Sequence, residues 1–406
     1  MKLCFLVGSM AISGGTYVII QHASYLMEHG FDVTLAVQEA FSPSTIAWHD
    51  QALKLRCIPV EQAKGESFDL VIATWWKTVF ELEYFNARHY AYFVQSIESR
   101  FYPEDEIPLR ALVDSTYRFP LAYVTEATWI RKYLFEKFDQ TTTLVRNGVR
   151  KDVYQSDGPR VALRPNGLPR VLIEGHFGVR FKNTALALRL AREAGARDIW
   201  VLTGTPIRWI PGANRVFSQV PISQTADIYR SCDILIKLST VEGMFGPPLE
   251  IFHCGGTAVV YNVTGHDEYI IDGLNARVLP RGDADGVVQA IRKLLTDQRE
   301  LETLKSGALQ TAAGWPSWEE SSSEFLQWVK VALESPAVDR AVLHEMTVHI
   351  FAEYERDEQI RIKKNPGIVR RHKLSALSSK LPPSVVRTVK RLEAVGEVLF
   401  RGRETY

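Results

Sequence analysis

Residues 233–261 read DILIKLSTVEGMFGPPLEIFHCGGTAVVY. The apolar run at its start reads as a buried strand, and AVVY near its end as a second one. Between them, Pro247 and Pro248 suit the first turn of a helix, where proline's missing N–H is not needed. Strand, helix and strand in this order make a crossover, and a crossover implies a parallel sheet. Two carboxylates bracket the turn. Glu242 falls on the loop after the first strand, at its carboxyl end. Glu250 is expected in the first turn of the helix, near its positive end, where an acid is worth about 0.3–1 kcal/mol. The Gly255–Gly256 pair lets the backbone come close before the last strand.

The same alternation extends in both directions. KLCFLVG (2–8) reads as a strand, GSMAISGG (8–15) as a loop and TYVIIQHASYLMEHG (16–30) as a helix, with Ile19, Ala23, Leu26 and Met27 on one face and Gly30 as its stop. FDVTLAV, FDLVIAT, YAYFVQ and LAYVTE are further strands. SDGPRVALRPNGLPR (156–170) breaks the pattern with Pro and Gly and reads as a connection between domains. Beyond it RVLIEG, DIWVLTG, DILIKLS and GTAVVY alternate with helices. The expected architecture is α/β, with two doubly wound Rossmann-like domains facing a cleft. The first spans residues 1–155, a linker 156–169, the second domain 170–335, closed by the helix WEESSSEFLQWVKVAL, and a basic helical extension 336–406. Ligands of such sheets bind beyond the carboxyl ends of the strands.

The chain has 406 residues, 46% hydrophobic and 23% charged, with a formal net charge of +1, which gives no case for nucleic-acid binding. Cys4, Cys57, Cys232 and Cys254 show no metal-like spacing, and reduced thiols in the cytoplasm are expected. The apolar run 3–7 is too short for a signal peptide, and no stretch approaches the ~18 apolar residues of a membrane span. Charge is unevenly placed. Residues 361–403 hold twelve Lys/Arg and two Glu, together with Ile368, Val369, Leu374, Leu377, Val385, Val386, Val389 and Leu392. A basic, partly apolar tail has three readings, peripheral contact with an anionic membrane face, docking of a partner protein and a solvated charged extension.

The element EGMFGPPLE (242–250) resembles the E-x7-E signature of retaining glycosyltransferases of family four, which have the two-domain GT-B fold. The Phe-Gly pair is displaced by one residue. The resemblance implies that Glu250 holds the nucleotide ribose and that Glu242 contacts the donor sugar, with Gly243, Gly246 and Leu249 beside them. RVLIEGHFGVRFKN (170–183) resembles the segment that carries an Arg and a Lys for the donor diphosphate. Lys182 takes the lysine's place, His176 occupies the usual arginine position, and Arg180 lies nearby. Positive charge there stabilises a departing diphosphate without a metal or other cofactor. VRNGV (145–149) resembles the N-G-V that closes the first domain and brings in Asn147. VTGHDEYIIDGLNARVLPRGD (263–283) resembles a later family segment, with Ala276 where Gly is usual, and gives His266, Asp267 and Glu268 as weaker candidates. The resemblance covers most of residues 1–335.

YFVQSIESRFYP (92–103) resembles a stretch in the branch of rhamnan-synthesis glycosyltransferases and implies that Gln95 and Glu98 face the acceptor. In ATWWKT (73–78), Trp75 and Trp76 stack on sugar or belong to the core. Gly14 and Gly15 let their loop approach the donor phosphate or acceptor, or only turn the chain. The expected activity is retaining transfer of a sugar from a nucleotide sugar to a surface polysaccharide or lipid-linked glycan. Two other readings remain open. GSMAISGGTY is not a dinucleotide fingerprint, but Glu39 stands where a ribose-binding acid of an NAD-type oxidoreductase sits. A non-catalytic sugar-binding protein of the same fold is the third reading.

Overall fold

The structure, a computed structural model, describes residues 1–163, 167–364, 392 and 394–398. Among them the first sheet holds seven parallel strands, β1 (Lys2–Val7), β2 (Asp32–Val37), β3 (Arg56–Pro59), β4 (Ser67–Ala73), β5 (Asn86–Val94), β6 (Ala122–Thr125) and β7 (Thr142–Leu144), in the order β3-β2-β1-β4-β5-β6-β7. Its helices are α1 (Gly14–Glu28), the single turns α2 (Pro43–Ile46), α3 (Val60–Ala63) and α4 (Trp76–Val79), then α5 (Ile107–Ser115) and α6 (Thr128–Phe138). Five of six residues are buried in both β1 and β2, the pattern of strands covered on both faces. Helix α1 starts two residues earlier than expected. Ser13 caps it, its side chain accepting the Thr16 N–H at 3.1 Å, so Gly14 and Gly15 form its first turn.

The second sheet contains β8 (Val171–Glu174), β9 (Ile199–Thr203), β10 (Arg215–Ser218), β11 (Ile234–Lys237), β12 (Thr257–Tyr261) and β13 (Ala276–Leu279), parallel throughout, in the order β10-β9-β8-β11-β12-β13. Its helices are α7 (Thr184–Glu193), α8 (Ile222–Arg230), α9 (Gly246–His253), α10 (Ala284–Thr296) and α11 (Gln298–Gly314). In each sheet the strand order reverses once, between β1 and β4 and between β8 and β11. Such a reversal leaves the carboxyl ends of two neighbouring strands uncovered by crossovers, which is where open α/β sheets bind ligands.

The boundaries differ from those expected. Among the described residues, one unit comprises 1–47, 51–147 and 318–364, the other 48–50, 148–163, 167–317, 392 and 394–398. The chain therefore passes from the first unit to the second at Asn147, not at 155. The Pro/Gly-rich stretch is no free linker either. Where described, it is bonded along α8: Val161 N–H donates to Ser231 Oγ at 2.9 Å, and the Arg230 guanidinium holds the carbonyls of Val153, Gln155 and Pro159.

Helix α12 (Trp318–Glu334), expected to close the second domain, packs on the first. Its apolar face meets β1, α1 and β5. Phe325 stacks on the His22 ring at 4.1 Å and lies 5.4 Å from Phe93, and Ser322 Oγ stands 3.0 Å from His22 Nδ1. Burial lowers the His22 pKa to about 3, so the imidazole is neutral at this joint. Helix α13 (Arg340–Lys364) stays on the same unit, with Leu343 in the core and Phe351 4.9 Å from Phe80. Of the tail residues expected to meet a membrane or partner, Arg361, Lys363, Lys364 and Leu392 are described, and Arg361 is paired with Glu106 and Glu358; the others lie outside the described residues. Among those described, no helix is long and apolar enough to cross a membrane. All four cysteines are free thiols.

Because α12 completes the first unit, Phe325→Ala should destabilise that unit by about 3–5 kcal/mol and leave the second unchanged. Hydrogen exchange read by mass spectrometry should speed up in α1, β1 and β5. Equal acceleration in β8 and β11 would show that the helix belongs elsewhere.

Candidate functional site

Strand register assembles the second unit's site. β11 pairs with β8 so that Ile236 faces Ile173. One step further, at the two carboxyl ends, Lys237 and Glu174 stand side by side, and the lysine ammonium donates to the Glu174 carboxylate. Neither residue was singled out in the sequence, although each is a lone charge at the end of an apolar run. Lys237 is only 2% exposed.

Glu242 follows on the loop after β11. Both of its oxygens accept from Lys182 Nζ at 2.8 Å, and Lys237 Nζ lies 3.8 Å from one of them. Burial disfavours its charge, but Lys182 and Lys237 outweigh that and hold the carboxyl below its ordinary value. The loops carrying Lys182 and Glu242 are tied together. Asn183 Nδ2 donates to the Leu238 carbonyl at 3.0 Å, and Thr240 N–H to the Phe181 carbonyl at 2.8 Å.

Glu250 differs from expectation. Helix α9 begins at Gly246, so the acid is its fifth residue, beyond the first turn, and helix-dipole stabilisation no longer accounts for it. Its carboxyl is bonded by the hydroxyls of Tyr229 and Tyr154, both buried, and both missed in the sequence. Burial pushes its pKa up to about 7, the nearby Glu174 charge adds to the rise, and the two phenols and Lys237 pull the other way. Glu242 is thus held ionised, while Glu250 titrates near neutrality.

The remaining candidates fall around this centre. His176 lays its ring against the end of β9. A Cβ on Gly204 would lie 2.3 Å from His176 Cε1, so only glycine admits the ring. Arg180 is exposed, at the start of the turn that carries Lys182. Gly243 and Gly246 flank the buried Phe245, whose carbonyl accepts from the Tyr269 hydroxyl. The Leu249 side chain is fully buried in the core, which leaves only its backbone available to a ligand. His266, Asp267 and Glu268 form a short turn. Their neighbours Thr264 and Tyr269 do the anchoring, Thr264 Oγ1 donating to the Glu242 carbonyl at 3.4 Å.

The first unit has its own cluster at the carboxyl ends of β1, β4 and β5. The Trp75 ring covers Gly8, where a Cβ would sit 2.7 Å from the ring, and Lys77 Nζ lies 4.8 Å over the same ring. Gln95 Oε1 stands 3.3 Å from the position a Cβ on Gly15 would take. Asn147 Nδ2 donates to Glu126 at 2.8 Å. Trp76 is core, and Glu98, expected to face an acceptor, is turned inward. Its carboxylate accepts the Trp76 N–H at 2.7 Å and the Tyr92 hydroxyl at 3.1 Å. The first turn of α4 needs that acceptor, and the Glu98–Phe101 turn supplies it from within.

Comparison with known proteins falls on the same region. Residues 212–311, which include Glu242 and Glu250, match the family model described as Glycosyl transferases group 1. A D-inositol 3-phosphate glycosyltransferase of Catenulispora acidiphila is 29% identical over 120 residues, which is 30% of this chain and 28% of that protein. A second, from Kribbella flavida, is 24% identical over 168 residues, 41% of this chain and 36% of the relative. The matches thus span about a third of these relatives' length. Among solved structures, sucrose-phosphate synthase from Thermosynechococcus elongatus superposes with a TM-score of 0.66 at 15% identity, covering 82% of this chain and 99% of that one. Anabaena Alr3699/HepE in complex with UDP-glucose does so with a TM-score of 0.64 at 15% identity, covering 82% and 100%. These likenesses show the fold, two parallel-sheet α/β domains of the GT-B class.

Burial raises the Glu98 pKa from 4.5 to about 8, so the folded chain keeps a proton there that the unfolded chain has released. This contribution to stability is complete below pH 4.5 and lost as pH rises towards 8. Glu98→Gln cannot release that proton. Urea unfolding of the first unit at several pH values should show the variant gaining on the parent across this window. Parallel curves would place a charged carboxylate at Glu98 throughout.

Proposed function

We propose that the protein is a retaining, metal-independent glycosyltransferase that uses a nucleoside-diphosphate sugar. One observation carries this reading. A lysine pair and two carboxylates of opposite protonation behaviour converge where the second sheet reverses its strand order. A nucleotide sugar presents two chemistries to a protein, an anionic diphosphate and neutral hydroxyls. Lys182, on a loop and 22% exposed, suits the diphosphate, with the start of α7 beside it. Carboxylates suit hydroxyls, as strong acceptors. Glu250 would take the ribose and Glu242 the transferred sugar. Arg180, His176, Gly243 and Gly246 would line the donor. The match of residues 212–311 and the UDP-glucose held by a structural neighbour support the same donor class.

In the proposed reaction the bond from the sugar's anomeric carbon to the diphosphate oxygen breaks. The acceptor hydroxyl oxygen bonds that carbon from the same face, and its proton passes to the departing phosphate. Lys182 stabilises the charge that develops on the leaving group. In the first unit Gln95 and Trp75 would meet the acceptor, with Glu98 fixing Trp76 behind them. We assign the acceptor to a surface polysaccharide or lipid-linked glycan, as in the rhamnan-synthesis branch, at the cytoplasmic face of the membrane. The nicotinamide reading gives Glu242, Glu250 and Lys182 no role.

Calorimetry with nucleoside diphosphate beside a donor-consumption assay tests the assignment. Glu250→Ala and Lys182→Ala should each weaken nucleotide binding, and turnover with it, by one to two orders of magnitude, the scale of about 1.5–3 kcal/mol for a charge-assisted hydrogen bond. Glu242→Ala should lower transfer but leave nucleoside-diphosphate binding nearly intact. If the Glu250 and Lys182 variants both bind and turn over donor like the parent, the reading fails. A second check uses pH. Nucleoside-diphosphate affinity should rise as Glu250 ionises near pH 7, and the step should vanish in Glu250→Gln. An identical profile in both proteins would separate Glu250 from the ribose.

A further inference from the structure

We propose that Lys237 is a positioning residue, the fixed counter-ion that keeps Glu242 charged and in place when the donor's diphosphate draws Lys182 away. This inference rests on the donor site proposed above. In the structure Lys182 serves both Glu242 oxygens at 2.8 Å. The same ammonium is the group offered to the diphosphate, so binding must loosen that pair. Glu242, with a side chain 9% exposed, would then be a buried carboxylate without its main partner. Such a group takes up a proton, and a protonated carboxyl loses the charge that makes it a strong acceptor for a sugar hydroxyl.

Lys237 supplies what Lys182 cannot. It sits in a central strand, between β8 and β12, and its position is set by register. At 2% exposure it does not reach a ligand, and its ammonium lies 3.8 Å from Glu242. The groups around it are Glu174 on β8, Glu242 on its own loop and Glu250 on α9, with Lys182 across Glu242 and the Tyr229 and Tyr154 hydroxyls on Glu250. Burial opposes the lysine's charge, and the three carboxylates more than restore it. A cation so held stays charged whether or not the donor is bound.

Lys182→Ala imitates the diversion of Lys182 without any ligand. With 13C-labelled glutamate, the Glu242 carboxyl signal, assigned by its loss in Glu242→Gln, should still titrate in the acid range in Lys182→Ala. In Lys182→Ala/Lys237→Met its midpoint should rise by at least two pH units. Equal midpoints overturn the inference, whatever the activity of the protein. Removing Lys237 also strands Glu174, so Glu174→Gln/Lys237→Met supplies a second, charge-balanced test. It should lose at least tenfold in kcat for transfer relative to Glu174→Gln alone, with nucleoside-diphosphate affinity within threefold of that single variant. A double variant with the single variant's kcat would reduce Lys237 to a partner of Glu174 and overturn the proposal. Failure of the parent itself to bind nucleoside diphosphate would instead strike the donor-site reading, and the titration would still decide this one.

Discussion

A buried ammonium at the end of β11 is the constraint on which the second unit's site turns. Lys237 is placed among Glu174, Glu242 and Glu250, and none of these charges would be stable there alone. Removing any one partner leaves another uncompensated in a poorly solvated place. The cluster is therefore a single electrostatic object. Its asymmetry follows from the surroundings: two cations favour the ionised form of Glu242, whereas at Glu250 burial and a neighbouring carboxylate outweigh the phenols and Lys237 and raise its pKa to about 7. One sequence element with two identical acids has become two different chemical groups.

The first unit solves a comparable problem by the opposite route. Glu98 is buried with hydrogen-bond donors but, among the described residues, no cation that offsets its desolvation, and it keeps its proton towards pH 8. His22, buried against Phe325, sheds its own. Both are neutral where Glu242 is charged. The difference lies in what surrounds each group, not in how deeply it is buried.

Much of the fold was legible because its central strands are long apolar runs between helices of amphipathic period. β1, β2, β4, β5, β8, β9, β11 and β12 all stand where the sequence suggests. The short edge strands β3 and β10 escaped notice, because RCIP and RVFS carry no alternation to detect. The helix WEESSSEFLQWVKVAL was visible as a helix, yet its unit was not. Nothing local says that Phe325 packs on His22, some three hundred residues earlier. The Pro/Gly-rich stretch misled for a related reason, since its backbone is held by Arg230 and Ser231 from elsewhere in the chain. At the site, Glu242, Glu250 and Lys182 were readable from a spaced motif. Lys237, Glu174, Tyr154 and Tyr229 were not, because their meaning comes from strand neighbours and packing partners that sequence order does not display.

The return of α12 to the first unit bears on how the polypeptide is made. Domains emerge from the ribosome in order and tend to fold as they appear. Here the segment carrying β8 to β13 is fully synthesised before α12 exists. The first sheet must wait with His22 and Phe93 uncovered until Phe325 arrives. The last contacts of the first unit can therefore form only after the whole of the second sheet has been synthesised, and its oldest residues wait longest for their neighbours.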